Sequence, residues 1–166
     1  VTVVAAALAP TVEQGPRNIS DLDYLHGLYA LGGKSYFDAA AAKPYGFNTG
    51  PFERTVSPNV LNFSRIILLR EEMERQRDGA KPIWASDFGW NSLPADWKGK
   101  PSIWGQVDSA TQEAYTRQAY QRAAQEWPWL AGLIIEHWQP AAPVDAPIQG
   151  FTIADRATQW AKDGVF

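Results

Sequence analysis

Two carboxylates stand where apolar runs give way to loops. Asp87 closes the run in "KPIWASDFGWNS" (Lys81–Ser92), and Glu136 closes the one in "GLIIEHWQP" (Gly132–Pro140). Side chains alternate along a strand, so Ile83, Ala85 and Asp87 are expected on one face of the first run. Ile134, Glu136 and Trp138 are expected on one face of the second. With both faces turned inward, the carboxylates share a pocket, and like-charge repulsion from Glu136 is expected to raise the pKa of Asp87. Neighbouring carboxyls held at different pKa values are the equipment of nucleophilic and general acid/base catalysis. Each also has a plainer reading. Asp87 can cap the loop that follows it, and Glu136 can pair with Lys43 or simply face water.

Other side chains with binding chemistry surround these two. Trp138, at the end of the last apolar run, is placed to stack on a flat ligand face or to plug the core. Trp90, in Gly-Trp-Asn, is a second stacking candidate or a loop anchor. Tyr45 follows Pro44 after another apolar run, and Asn48 and Asn91 offer hydrogen bonds or serve as turn residues. His26 reads as a helix-face residue, and His137 is expected opposite Trp138, facing the helices. Two distant histidines without ligand spacing give no metal site, and no cofactor is implied.

The elements that must position these groups follow from the wider pattern. At 166 residues the chain suits a single domain, 1–166. A net charge of −3 argues against nucleic acid and anionic membranes as partners. No run of 18 apolar residues is present, so no transmembrane segment is expected. "VTVVAAALAP" lacks the basic start and cleavage site of a signal peptide. With no cysteine, the redox compartment is unreadable. Aromatics reach 13%, with eight Trp, and indole rings in loops are what carbohydrate-binding clefts use.

Four apolar runs, Val1–Ala9, Tyr36–Ala42, Pro82–Phe88 and Leu130–Trp138, alternate with segments of helical spacing. The first helix has Ser20 as its N-cap and stops at Gly32-Gly33. The second aligns Leu61, Ile66, Leu69 and Met73 and ends near Gly79. The third is capped by Asp108 or Ser109 and repeats Tyr115, Ala119 and Ala123. This βα alternation implies parallel strands with crossover helices, as a four-stranded doubly wound sheet or as half of an eight-unit barrel. The longer loops follow the strands, the end at which such folds build their sites. "ALGGKS" is not a phosphate loop, because it leads from a helix into a strand. There is no Gly-x-Ser-x-Gly elbow either.

"KPIWASDFGWNS" resembles the seventh strand of the (β/α)8 glycoside hydrolases of the large retaining clan, where a Glu stands at the position of Asp87. "AAAAKPYGF" resembles their sixth strand, which ends in His-Pro-Tyr or a near variant, and "LIIEHWQP" resembles the eighth. "LAPTVEQGPRNISDLDYL" is similar to the fifth strand and its loop, and "PIQGFTIADRATQWA" to the closing turn before the last helix. The resemblance runs in order along the chain. It implies an α/β fold of four βα units, the C-terminal half of a (β/α)8 barrel, and activity on O-glycosidic bonds in the intact parent.

By the same resemblance, Asp87 stands at the nucleophile position, Tyr45 hydrogen-bonds that nucleophile, and Trp138 floors the sugar subsite. The general acid/base belongs to the end of the fourth strand, outside this chain. Retaining hydrolysis needs two carboxyls about 5–5.5 Å apart. Aspartate is shorter than glutamate by one C–C bond, about 1.5 Å, and a misplacement of about 1 Å costs on the order of 100-fold. The chain alone is therefore expected to be inactive. The other reading is a non-catalytic subunit, a pseudoenzyme that keeps the barrel for carbohydrate binding or assembly. Either way a second half-barrel, from another chain or a second copy, is the expected partner, with Val1–Ala9 hydrogen-bonded on both sides. The resemblance favours the extracellular or cell-surface side.

Overall fold

A computed structural model describes residues 1–13, 15 and 17–154. Strands β1 (Val4–Ala5), β2 (Ala39–Ala42), β3 (Ile83–Phe88) and β4 (Leu130–Ile135) form one parallel sheet in sequence order. Helices α1 (Asp21–Ala30), α2 (Ile66–Arg75) and α3 (Ser109–Glu126) each connect one strand to the next. Leu25 and Tyr29 of α1, Ile66, Leu69 and Met73 of α2 and Ala119 of α3 share one core with Ala40, Ala42, Ile83 and Ala85. Among the described residues, no helix covers the opposite face of the sheet. Val4, Trp84 and Ile134 lie exposed along it. Sequential parallel strands with helices on one face are a portion of a (β/α)8 barrel, which excludes the doubly wound alternative.

The helices start where their capping chemistry puts them. The Ser20 hydroxyl accepts from the Asp23 N–H at 3.0 Å, and Asp108, rather than Ser109, accepts from the Thr111 N–H at 2.7 Å. The second helix starts later than its spacing predicts, because Phe63–Arg65 first form a buried 3-10 turn. There Arg65 reaches back to Asp21 in a buried pair, locking the start of α2 to the start of α1.

Three expectations need correction. The first strand is far shorter than Val1–Ala9: two residues pair with β2, on one side only. Val3 is held instead by Asp38, whose carboxylate accepts its N–H at 2.8 Å and whose N–H donates to the Val3 carbonyl at 2.7 Å. The fourth ends at Ile135, so Glu136 and Trp138 lie beyond regular alternation. The predicted face of β3 is also wrong. Ile83 and Ala85 are fully buried against the helices, while Trp84 is exposed on the other side. Between Ala85 and Phe88, β3 spends three residue steps where β4 spends two, from Leu133 to Ile135. This irregularity of bulge type shifts the parity. Phe88 therefore joins the helix-side core, and Asp87 is released from the face that alternation assigns to it. At the C-terminal end, Pro147–Phe151 form a 3-10 turn. The end of the expected closing turn and the helix after it lie outside the described residues.

Candidate functional site

The C-terminal ends of β2, β3 and β4 are tied together by backbone hydrogen bonds. Tyr45 pairs with Gly89 as an isolated parallel bridge, the Gly46 N–H donates to Gly89 at 3.0 Å, and the Glu136 N–H donates to Phe88 at 2.9 Å. Gly46 is required here, because a Cβ would run into the Trp90 indole. The result is a platform on which Lys43, Tyr45, Asp87 and Glu136 meet.

Their contacts divide the two carboxyls into different electrostatic states. Asp87 Oδ2 lies 3.0 Å from Lys43 Nζ and accepts from the Ser86 hydroxyl at 2.7 Å. Burial pushes the Asp87 pKa upward, but hydrogen bonds from Ser86 and Lys43 and the lysine's charge outweigh it, so the carboxyl is held below its ordinary range. Glu136 is pushed the other way, first by burial and then by the negative charge of Asp87, against the hydrogen bond it accepts from Tyr45. The Tyr45 hydroxyl donates to Glu136 Oε2 at 2.8 Å. Its own pKa is raised by burial and by that carboxylate, so it stays a proton donor.

The like-charge effect expected in this pocket therefore falls on the other member: the glutamate is raised and the aspartate lowered. The reason is that Ser86, and after it Lys43, bond Asp87 and outweigh its burial, while burial prevails at Glu136. Tyr45 likewise bonds Glu136 and not Asp87. The charge of Asp87 is felt at Glu136, so the two carboxyls share one electrostatic neighbourhood.

The remaining candidates scatter. Trp138 is half exposed, at 49%, two residues past Glu136, and its carbonyl accepts from the Ile153 and Ala154 N–H groups at 3.3 Å. Trp90 is 0% exposed. Its indole N–H donates to the Thr49 carbonyl at 2.7 Å, and its ring sits among Phe63, Phe88 and Tyr115. A ring without an exposed face offers nothing to a sugar, so the loop-anchor reading describes it. Asn91 is equally buried and donates to the Pro147 carbonyl at 2.8 Å. Asn48 is exposed, but its Oδ1 accepts from the Gln106 N–H at 2.9 Å, clipping two loops together. His137 places its Nε2 3.5 Å from Glu136 Oε1. His26 sits on α1 beside Glu72, at 3.1 Å. Among the described residues, no three His, Cys, Asp or Glu side chains group as a metal site, and no helix is long and apolar enough to cross a membrane.

The functional residue that sequence reasoning undervalued is Lys43. Its signal was the Lys-Pro-Tyr spacing, which puts residues 43 and 45 on one side of an extended segment.

The chain matches no family model, and no curated protein matches it by sequence. Its fold is found in solved structures. A family 39 glycoside hydrolase from the gut symbiont Bacteroides cellulosilyticus WH2 superposes with a TM-score of 0.58 at 18% identity, over 86% of this chain and 28% of that one. A β-glucuronidase from Ruminococcus gnavus (TM-score 0.46, 17% identity, 79% of this chain, 22% of that one) and a family 113 β-1,4-mannanase (0.40, 17%, 80% and 36%) are similar more distantly. The chain thus has the fold of part of a (β/α)8-barrel glycoside hydrolase and spans less than a third of the length of the family 39 enzyme.

Proposed function

We propose that these 166 residues form strands five to eight of a glycoside-hydrolase-type barrel of the large retaining clan, and that the completed barrel acts on O-glycosidic bonds. The observation that supports this best is the state of Asp87, a carboxylate kept ionised by Lys43 and Ser86 at the C-terminal mouth of the sheet. An ionised carboxylate at this end of a barrel is the group that attacks an anomeric carbon. Glu136, bonded by Tyr45, follows the end of the strand next to that of Asp87, whereas a retaining acid/base stands across the glycosidic bond. It serves instead as a neighbour that Tyr45 orients, and the opposing acid/base belongs to another strand of the barrel.

A second reading has its own observation. A carboxylate whose oxygen is already engaged by both a lysine and a serine is a weakened nucleophile, which favours a non-catalytic barrel that binds carbohydrate or assembles with other subunits. Turnover of a panel of aryl β-glycosides by the complete protein, with saccharide binding read by tryptophan fluorescence, separates the two. Turnover supports the enzyme, and binding without turnover supports the second reading. Absence of both binding and turnover would remove carbohydrate from the account.

The helix-free face supports the proposal of a partner. Trp84 at 39% and Ile134 at 47% exposure, with Val4 of β1, form an apolar surface of the kind a barrel interior covers with its opposing strands. β1 and β4 each leave one edge without a neighbour among the described residues. The 166 residues expressed alone are expected to associate at micromolar concentration in light scattering. A stable monomer would mean that this face needs no cover, and the half-barrel partner would be abandoned.

A further inference from the structure

A groove of about 530 Å³ opens beside Tyr45, walled by the segments that follow β1, β2 and β3. Its size is that of a ligand site. Phe47, Ile103 and Trp104 give it apolar and aromatic walls, and Glu13 and Asn18, hydrogen-bonded to each other at 2.8 Å, add planar polar groups. Tyr45 is the wall it shares with the carboxyl site: the hydroxyl lies on Glu136, while the ring packs against Phe47 and Trp104 at 6.4 and 6.1 Å. A larger open hollow between residues 92–95 and 106–109 holds one carboxylate, Asp108, which is spent on capping α3.

The groove is also held in shape. Phe47 sits at φ 52°, a left-handed conformation that costs a bulky residue energy and that folded chains keep mostly at functional positions. Gly105, at φ 72°, lies so close to the Asn48 amide that a Cβ would collide with it. Together with the Asn48–Gln106 hydrogen bond, this clips the backbone beside Trp104 to the loop after β2. The Trp104 ring is braced edge-on by Phe151 at 5.3 Å. Such fixation lowers the ordering cost of binding a rigid ring.

We propose that this groove is a second sugar subsite, taking the ring next to the one held at Asp87, with Trp104 as its stacking face. It rests on the carbohydrate reading above and names where a substrate of two or more units would lie. Apolar walls with a few planar polar groups suit a pyranose, which has an apolar face and a polar rim.

The test is calorimetric binding to the complete protein of glucose and mannose, of cello- and manno-oligosaccharides of two to four units, and of p-nitrophenyl glycosides. Affinity is expected to rise from one unit to two. Trp104→Ala is expected to weaken the oligosaccharides about 10-fold, the worth of one aromatic contact, and to leave the monosaccharides unchanged. Trp104→Phe, which keeps a ring, is expected to retain most of the affinity and guards against misfolding of the alanine variant. Length dependence that survives in Trp104→Ala would overturn the groove and leave the carbohydrate reading standing. Aryl glycosides that bind like disaccharides and lose affinity in Trp104→Ala would show that the groove takes an aromatic group instead of a sugar. Absence of all saccharide binding would overturn both.

Discussion

Asp87→Asn in the complete barrel is expected to lower aryl β-glycoside turnover by roughly 10⁴-fold, the scale at which enzymes lose their nucleophile. Glu136→Gln keeps the oxygen that Tyr45 bonds and removes only the charge, and is expected to stay within about 10-fold of the parent. The reverse order of effects would show that Glu136 is the attacking group. Asp87→Glu extends the carboxylate by roughly 1.5 Å and is expected to raise turnover, because reach rather than charge limits the aspartate.

Lys43 decides the pH response. Asp87 must be ionised to attack, so activity rises as pH rises through its pKa, which Ser86 and Lys43 hold below the ordinary range of an aspartate. Lys43→Met removes the favourable charge and leaves the burial, so the acid limb of the profile is expected to move to higher pH. An unshifted limb would mean that Lys43 does not control Asp87.

Arg65→Ala is expected to destabilise the fold by about 3–5 kcal/mol, the range for leaving a buried charge without its partner. Arg65 is almost fully buried, and its Nε and Nη2 hold the Asp21 carboxylate at 2.8–3.1 Å. Its Nη1 donates to the Pro58 carbonyl at 2.7 Å, so one side chain fastens α1, α2 and the loop between β2 and α2. Urea denaturation measures the loss. Asp21→Leu with Arg65→Met is expected to recover much of it, since an apolar pair of similar volume leaves no charge unpaired. A single variant within 1 kcal/mol of the parent would show that water reaches the site and that the pair is not what joins the helices.

Alternation of apolar runs with helical segments was enough to establish the parallel βα architecture, because a crossover connection forces that geometry and both periodicities are local. Ser20 and Asp108 were legible as caps for the same reason: a cap bonds N–H groups two or three residues away, and no distant segment is needed. Asp87, Glu136 and Tyr45 were legible as strand-end groups, since the C-terminal ends of parallel strands converge.

What those groups do to one another was decided by tertiary structure. The irregularity in β3 depends on how β4 docks, and it moves Asp87 off the face of Ile83 and Ala85. Lys43 meets Asp87 across 44 positions of chain and Tyr45 meets Glu136 across 91, so the direction of each carboxyl's pKa was set only when those segments closed. Trp90 and Asn91 follow Asp87 by three and four residues but turn into the core, where a large ring gains more from burial than from a loop surface. Trp104 and Phe47, anonymous in a loop-rich sequence, became a groove because Gly105 and Asn48 hold two loops together at a distance that no local pattern encodes.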